Sequence, residues 1–391
     1  MTNGNNVVEY DQLANAPRLL MEAKLKPLQG HRFQPTGFAD LGPARYALPD
    51  GTEMLLVESV QSVANRMELA CWDQAADDLI DELAGLPYIR VDCGDYGKTN
   101  TINEFHRLNS PYIWSGTETD SAKAFRVAFI KQAGLPESIL KKKGKGKVKD
   151  SDSEGSDSVP GVLDFRKFYK AVFKYDPNAV VHGLFLEKVA GRLRMPRLLS
   201  GFIEASGVNP VESGGTKVDN VLPSPKAAGL DAKEGFGNVP FHRTEFVAEE
   251  IKAYFNLDLA LLRGYGLADD ATNLLIALSP FKIRRFLSTG LRLRTACDLE
   301  LDGELNVTRP SGWTLPAEDA LLAECTRVIG VCKPHFAEVQ KDGDFKDRPV
   351  TLVEWKPGKK KSGKGKKGKE GEQAADEDAS ENDAEDEQED E

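Results

Sequence analysis

The residues whose types and spacing suggest a chemistry are arginines, lysines and side-chain amides, and that chemistry is the holding of phosphate. Lys188 to Ile203 carries Lys188, Arg192, Arg194 and Arg197 with no acid, and Ala271 to Cys297 carries Lys282, Arg284, Arg285, Arg292 and Arg294 with no acid. Arg292 and Arg294 sit two apart in an alternating stretch, so a strand would point both to one face. Ser59, Ser62, Asn65 and Arg66 recur at helical spacing and form one polar face. Such groups can contact phosphates and 2′-hydroxyls without reading bases. Solvated faces would use the same residues, so charge alone leaves that alternative open.

Nucleophilic, metal and nucleotide-hydrolysing chemistry finds little support. His31, His106, His182, His242 and His335 are scattered, and Cys71, Cys93, Cys297, Cys325 and Cys332 form no C-x-x-C pair. Their odd number argues against a disulfide framework and suits a reducing compartment, with the thiols as small buried residues. The stretch Gly358 to Lys364 copies a P-loop by letter, but Gly365 stands where a magnesium-binding hydroxyl belongs and no apolar helix follows. No metal and no cofactor are expected.

The elements that must position the basic groups are legible in part. Arg18 to Lys26 alternates Leu19, Met21, Ala23 and Leu25, a strand. Leu56, Val60, Val63, Met67 and Cys71 fall on one helical stripe, and Asp73 to Leu83 reads as a second helix. Helices are expected at Ser121 to Gln132, at Phe165 to Phe173 and at Thr272 to Leu287, the last kinked or split at Pro280. Strands are expected at Ala179 to Glu187, Arg197 to Ala205 and Leu291 to Leu301. Gly207 to Gly237 holds six glycines and three prolines and reads as a long, functional loop. The fold class is α+β, because strands and helices do not alternate strictly.

The chain has 391 residues and a formal net charge of −11. That charge is unevenly placed. Glu370 to Glu391 holds 13 acidic residues, Lys356 to Lys369 holds eight lysines, and Lys141 to Ser158 holds six lysines and four acids. These stretches contribute −13, +8 and +2, which leaves −8 on the rest. An acidic body with local basic strips suits a grip on one phosphate chain better than an indiscriminate coat. The organisation expected is a 1–17 extension, a body over 18–356 interrupted by a disordered charged insert at 141–158, and a disordered tail over 357–391. No apolar run approaches the roughly 20 residues that span a bilayer, and the N-terminus lacks a signal-peptide layout, so a cytoplasmic protein is expected.

Six stretches together resemble one family: LKPLQGHRFQPTGFADLG (Leu25 to Gly42), LLVESVQSVANRME (Leu55 to Glu68), EFHRLNSPYI (Glu104 to Ile113), RLLSGFIEASG (Arg197 to Gly207), GNVPFHRTEF (Gly237 to Phe246) and GLRLRTACDL (Gly290 to Leu299). In this order they resemble the CRISPR-associated RAMP-superfamily protein of type I-G systems, formerly type I-U. That protein is the Cas-seven-like backbone subunit of a Cascade effector. The resemblance runs from about Arg18 to about Trp355; the lysine-rich insert and the charged tail depart from it.

The resemblance implies a ferredoxin-like, RRM-related core with an inserted helical lobe and a long β-hairpin thumb, for which 207–237 is the candidate. It implies copies stacked along the spacer of a CRISPR RNA, which is presented for pairing with target DNA. It also implies a fused five/six-type RNA-processing subunit, a large subunit and a recruited helicase-nuclease as partners, with no membrane and no nuclease centre in this chain. The RNA-contacting set is then Arg32, Gln34, Ser62, Asn65, Arg66, His106, Arg107, Arg192, Arg194, Arg197, Arg292 and Arg294. The loop Gln34 to Gly37 suits contact with RNA or with the next subunit. The alternative is a RAMP-type endoribonuclease acting on precursor RNA, with His31 or His106 as general base.

Overall fold

A computed structural model describes residues 8–38, 41–136, 163–187, 189, 193–218, 237–289 and 291–358. The charged insert at 141–158, the tail beyond Gly358, Lys188, Arg192 and the middle of 207–237 lie outside the described residues. The elements used below are β1 (Arg18–Pro27), β2 (Arg45–Ala47), β3 (Glu53–Glu58), α1 (Val60–Leu69), β4 (Tyr88–Asp92), β5 (Lys98–Asn100), α2 (Asp120–Gln132), α3 (Phe165–Tyr175), α4 (Pro177–His182), β6 (Leu199–Ser206), β7 (Asn209–Lys217), β8 (Val239–Val247), β9 (Glu250–Asp258), α5 (Asp269–Ser288), β10 (Leu291–Arg294), β11 (Cys297–Arg309), α6 (Glu318–Cys332) and β12 (Val350–Glu354).

Seven strands form one antiparallel sheet in the order β10-β11-β1-β9-β6-β3-β2. Its two central strands, β9 and β6, alternate strictly between buried and half-buried residues. Leu19, Met21 and Ala23 of β1 therefore share one face with Ala253, Phe255 and Leu257 of β9, and helices α1 and α5 cover that face. The opposite face carries a stacked Phe202–Tyr254 pair, centroids 5.1 Å apart, within an ion-pair ladder that includes Lys24–Glu250 at 2.8 Å and Lys252–Glu22 at 3.6 Å. Mixed α/β architecture on an antiparallel sheet is the fold. A second, three-stranded sheet, β12-β4-β5, has α2 packed on it. Strands β7 and β8 pair over nine residues each as a separate two-stranded ribbon, so the first part of the expected long loop is a strand, paired with the segment that follows the loop.

The local chemistry explains where the sequence expectations fail. Leu56 lies on β3, not on the helix: Ser59 is extended, and its Oγ accepts the Ser62 N–H at 3.3 Å, so the helix begins at Val60. The expected helix over Asp73 to Leu83 is a short hairpin, Trp72–Asp73 against Asp78–Leu79, followed by one 3₁₀ turn. Asp73 Oδ1 accepts the Ala75 and Ala76 N–H groups and so diverts them from helical partners. The expected strand over Ala179 to Glu187 is first helix and then strand. Asp176 caps α4 by accepting the Ala179 N–H at 3.0 Å, Pro177 occupies the first turn, and Gly183 at φ +85° ends it. Helix α5 runs unbroken through Pro280. The expected single strand over Leu291 to Leu301 turns back on itself at Ala296, with φ +58°, to form the β10–β11 hairpin.

Candidate nucleic-acid interface

Helix α1 stands at the centre of the candidate site. Val63, Ala64 and Met67 anchor it on the sheet, which leaves Gln61, Ser62, Asn65 and Arg66 on the outward side. Gln61 Nε2 donates to Asn65 Oδ1 at 3.0 Å, one turn along. Beside Arg66 opens a cleft of about 300 Å3, bounded by α1, the C-terminal end of α5 and β10. Arg66, Arg285 and Arg292 line it with Trp72, Gln74 and Thr289. Arg292 is 83% exposed and its nearest carboxylate, Asp298, is 4.0 Å away. Arg285 is held from the rear by Glu318 at 3.2 Å. Three arginines thus line one open cleft, and Arg292 presents the guanidinium that the protein engages least.

The cleft is fixed in shape by a buried carboxylate. Glu58, fully buried at the end of β3, binds Arg294 through Oε2, and Arg66 Nε lies 3.7 Å from the same oxygen. Arg294 also donates to the carbonyls of Gln34 and Val57, both at 3.1 Å. Arg66 donates to the carbonyls of Arg292, at 3.2 Å, and of Leu293. Arg66 and Arg294 thus tie α1, the loop before β2 and the β10–β11 hairpin into one frame. Leu291 and Leu293 are buried while Arg292 and Arg294 point the other way, as the alternation requires.

The remaining expected residues lie in several places. Arg32 lies on the loop that Phe33 bridges to Phe246; it donates to Ser213 Oγ at 2.8 Å and faces Glu245 at 3.3 Å, which ties the loop to the β7–β8 ribbon. Gln34 follows, with its side-chain Oε1 buried and without a donor. These two adjoin the Arg294 frame. His106 pairs with Glu104, and Arg194 stacks over the Phe185 ring at 4.8 Å; neither joins the cleft. Arg107 is a correction. It is buried and bidentate to Glu68, both bonds at 2.6 Å, and so has no face for RNA. Arg197 is half-buried, bonded to the His182 carbonyl at 3.2 Å and to Gln61. Arg192 lies outside the described residues.

Under α1, Glu68 also accepts from Asn178 at 2.7 Å, and Lys282 reaches Asn178 and the His182 ring, the latter at 2.9 Å. Burial, with the positive charge of Lys282, holds the His182 imidazole well below its ordinary pKa, so it is neutral. Burial pushes the Asp176 carboxyl up to about 7. All five cysteines are buried, free thiols, and their burial raises each pKa. Among the described residues no group of three or more His, Cys, Asp or Glu could hold a metal ion, and no helix is long and apolar enough to cross a membrane.

Reasoning from the sequence missed Glu58, Glu68 and the place of Arg285 in the cleft. The signal for Glu58 was present: a carboxylate ending an otherwise apolar strand, Met54 to Val57, must find a cation if it turns inward.

Residues 19–210 match a family model described as CRISPR-associated protein GSU0053. Comparison with curated protein sequences gives no match. Among solved structures the chain is similar to one titled "CRISPR RNA-guided surveillance complex, pre-nicking", with 15% identity, a TM-score of 0.36, and coverage of 73% of this chain and 74% of that one. A second, titled "CRISPR RNA-guided surveillance complex", gives 13% identity and a TM-score of 0.30 over 80% and 88% of the two chains. A third, Csc2 of Thermofilum pendens, gives 11% and 0.28 over 82% and 80%.

Proposed function

We propose, on the premise that over residues 19–210 this chain belongs to the GSU0053 family of CRISPR-associated proteins, that it is a non-catalytic subunit of a CRISPR effector complex and grips the guide RNA by its ribose-phosphate backbone. The observation that carries this is the cleft lined by Arg66, Arg285 and Arg292. Its donors are guanidinium groups, which recognise phosphate oxygens and not base identity. A subunit that must serve any spacer needs such blindness. Ser62 and Asn65 add neutral donors suited to 2′-hydroxyls on the adjoining turn of α1.

In this reading the four central strands, β11-β1-β9-β6 in spatial order, with α1 before β6 and α5 after β9, are the ferredoxin-like, RRM-related core, and β2 and β3 are an added edge. The β7–β8 ribbon is the base of the thumb. Further copies of the chain, the RNA-processing and large subunits of a type I-G assembly, and target DNA paired to the guide complete the partner set, in the cytoplasm. The ion-pair ladder around Phe202 and Tyr254 already commits Lys24 and Lys252 to carboxylates, which makes the open sheet face a poor phosphate track and favours the cleft at α1. His106, engaged by Glu104, lies outside the arginine cleft, and this favours a subunit without a cleavage centre.

The test is RNA binding across several unrelated spacers. Arg66→Ala and Arg292→Ala should each weaken binding on all of them alike and flatten the slope of log K against log salt by about 0.7, one single-strand phosphate contact. A loss confined to some spacers, or an unchanged slope, refutes backbone recognition. Cleavage of repeat RNA abolished by His106→Ala or His31→Ala refutes the non-catalytic assignment.

A further inference from the structure

A second concavity, of about 370 Å3, opens on the three-stranded β12-β4-β5 sheet between the turn at 93–99 and the segment 103–105, with Tyr112 on its wall. Tyr96 and Phe105 stand 74% and 64% exposed at its mouth. Tyr96 and Tyr112 each meet Trp355 edge-on, centroids 6.1 and 5.2 Å apart, so Trp355 braces both rings. Two large aromatic rings left in water at one mouth forgo the burial that normally stabilises them. Their faces are free to receive a planar or cationic group.

The polar lining decides which. Glu104 Oε1 is engaged by the imidazole and the backbone N–H of His106. Glu104 Oε2 is buried and receives no hydrogen bond, and Asn103 Oδ1 beside it is in the same condition. Two neighbouring acceptors without donors favour a ligand that brings N–H groups. A carboxylate among aromatic faces further selects positive charge. A guanidinium satisfies all of these conditions, being flat, cationic and supplied with five N–H donors. An anionic nucleotide would face Glu104 together with Asp92 and Asp95, both exposed on the adjoining turn, with Lys98 alone in its favour at the rim.

We propose that this pocket receives an arginine side chain of a partner protein. The guanidinium stacks on Tyr96 and Phe105 and donates to the Glu104 carboxylate and the Asn103 carbonyl. Both oxygens are buried, so side chains at the pocket mouth shift as the guanidinium enters. The site shares no residue with the arginine cleft and is independent of RNA binding.

The full chain is titrated with a capped Gly-Arg-Gly peptide, with its citrulline analogue, which keeps the shape but lacks the charge, and with GMP, followed by intrinsic fluorescence. Saturable binding of the arginine peptide is expected, weaker by at least about tenfold for citrulline and, again by at least about tenfold, in Glu104→Gln. Tyr96→Ala, which removes an exposed ring and spares the fold, should also weaken it, and Arg66→Ala should leave it unchanged. Equal binding of the arginine and citrulline peptides, tighter binding of GMP, no saturable binding of the arginine peptide, or binding that survives Glu104→Gln and Tyr96→Ala overturns the proposal. Attachment to the acidic run 370–391 would survive both substitutions and counts against it. A chain that passes here but fails to bind guide RNA refutes only the RNA proposal.

Discussion

At the strand end that leads into α1, Glu58 holds Arg294 and faces Arg66; at the far end of the same helix, Glu68 holds Arg107. The partners are the same residue types, and both carboxylates are buried. Their arginines differ. Arg66 and Arg294 retain 25% and 18% of their side-chain surface, and Arg66 lines the cleft. Arg107 retains 7% and spends its guanidinium on Glu68 and the Gly183 carbonyl. One node shapes a binding surface, and the other locks α1 to the segments bearing Arg107, Asn178 and Lys282. A positive charge serves a ligand only if part of it is left over after the fold has used it.

The sharpest way to break this comparison is to delete the buried partner. Arg107→Ala leaves Glu68 buried without its bidentate donor and should cost about 3–5 kcal/mol in denaturant unfolding. A loss under about 1 kcal/mol would mean that water reaches Glu68 and that the two nodes are alike.

Arg294→Ala should cost less, about 1–3 kcal/mol, because Arg66 remains near Glu58 and water can enter from the cleft side. Its effect on RNA binding should exceed that of Arg107→Ala at matched folded fractions, since it loosens the frame of Arg66. The reverse order in an RNA titration would place the interface nearer Glu68.

The smallest effect concerns pH and belongs to the Glu68 end alone. His182 stays neutral in the folded chain, so below its ordinary pKa of about 6.5 the unfolded chain takes up the extra proton and stability falls with falling pH. Asp176, raised to about 7, holds a proton in the folded chain that the unfolded chain releases above about 4, so stability rises as pH falls from about 7 to about 4. The two slopes oppose each other between about pH 4 and 6.5. Asp176→Asn retains a capping oxygen for α4 and removes one slope. Its stability should then fall with falling pH below 6.5, the slope steepening toward about 1.4 kcal/mol per pH unit near pH 5, while the parent chain changes little. Identical pH profiles in thermal unfolding would show that neither group titrates as its burial implies.

Much of the frame was legible in the residues. The alternation of Leu19, Met21, Ala23 and Leu25 gave β1, and the spacing of Val60, Val63 and Met67 gave α1 with its polar side outward. The failures have a common cause. Asp73 and Asp176 redirect backbone N–H groups with their side chains, so a stretch with helical spacing became a hairpin and a β-branched stretch became a helix. Of the expected contact residues, Arg66 and Arg292 line one cleft, whereas Arg107 is consumed in the interior. Nothing in EFHRLNSPY distinguishes Arg107 from Arg66, because its partner Glu68 is 39 residues away in the chain.

The sequence by itself determined the periodicities, the acidic body with basic strips, and the absence of a nucleophile or metal motif, because these depend only on residue type and local spacing. Tertiary structure decided which arginines remain available. Desolvation and pairing are set by neighbours distant in the chain: Glu58 beside Arg294, Glu68 beside Arg107, and the far end of α5 beside α1.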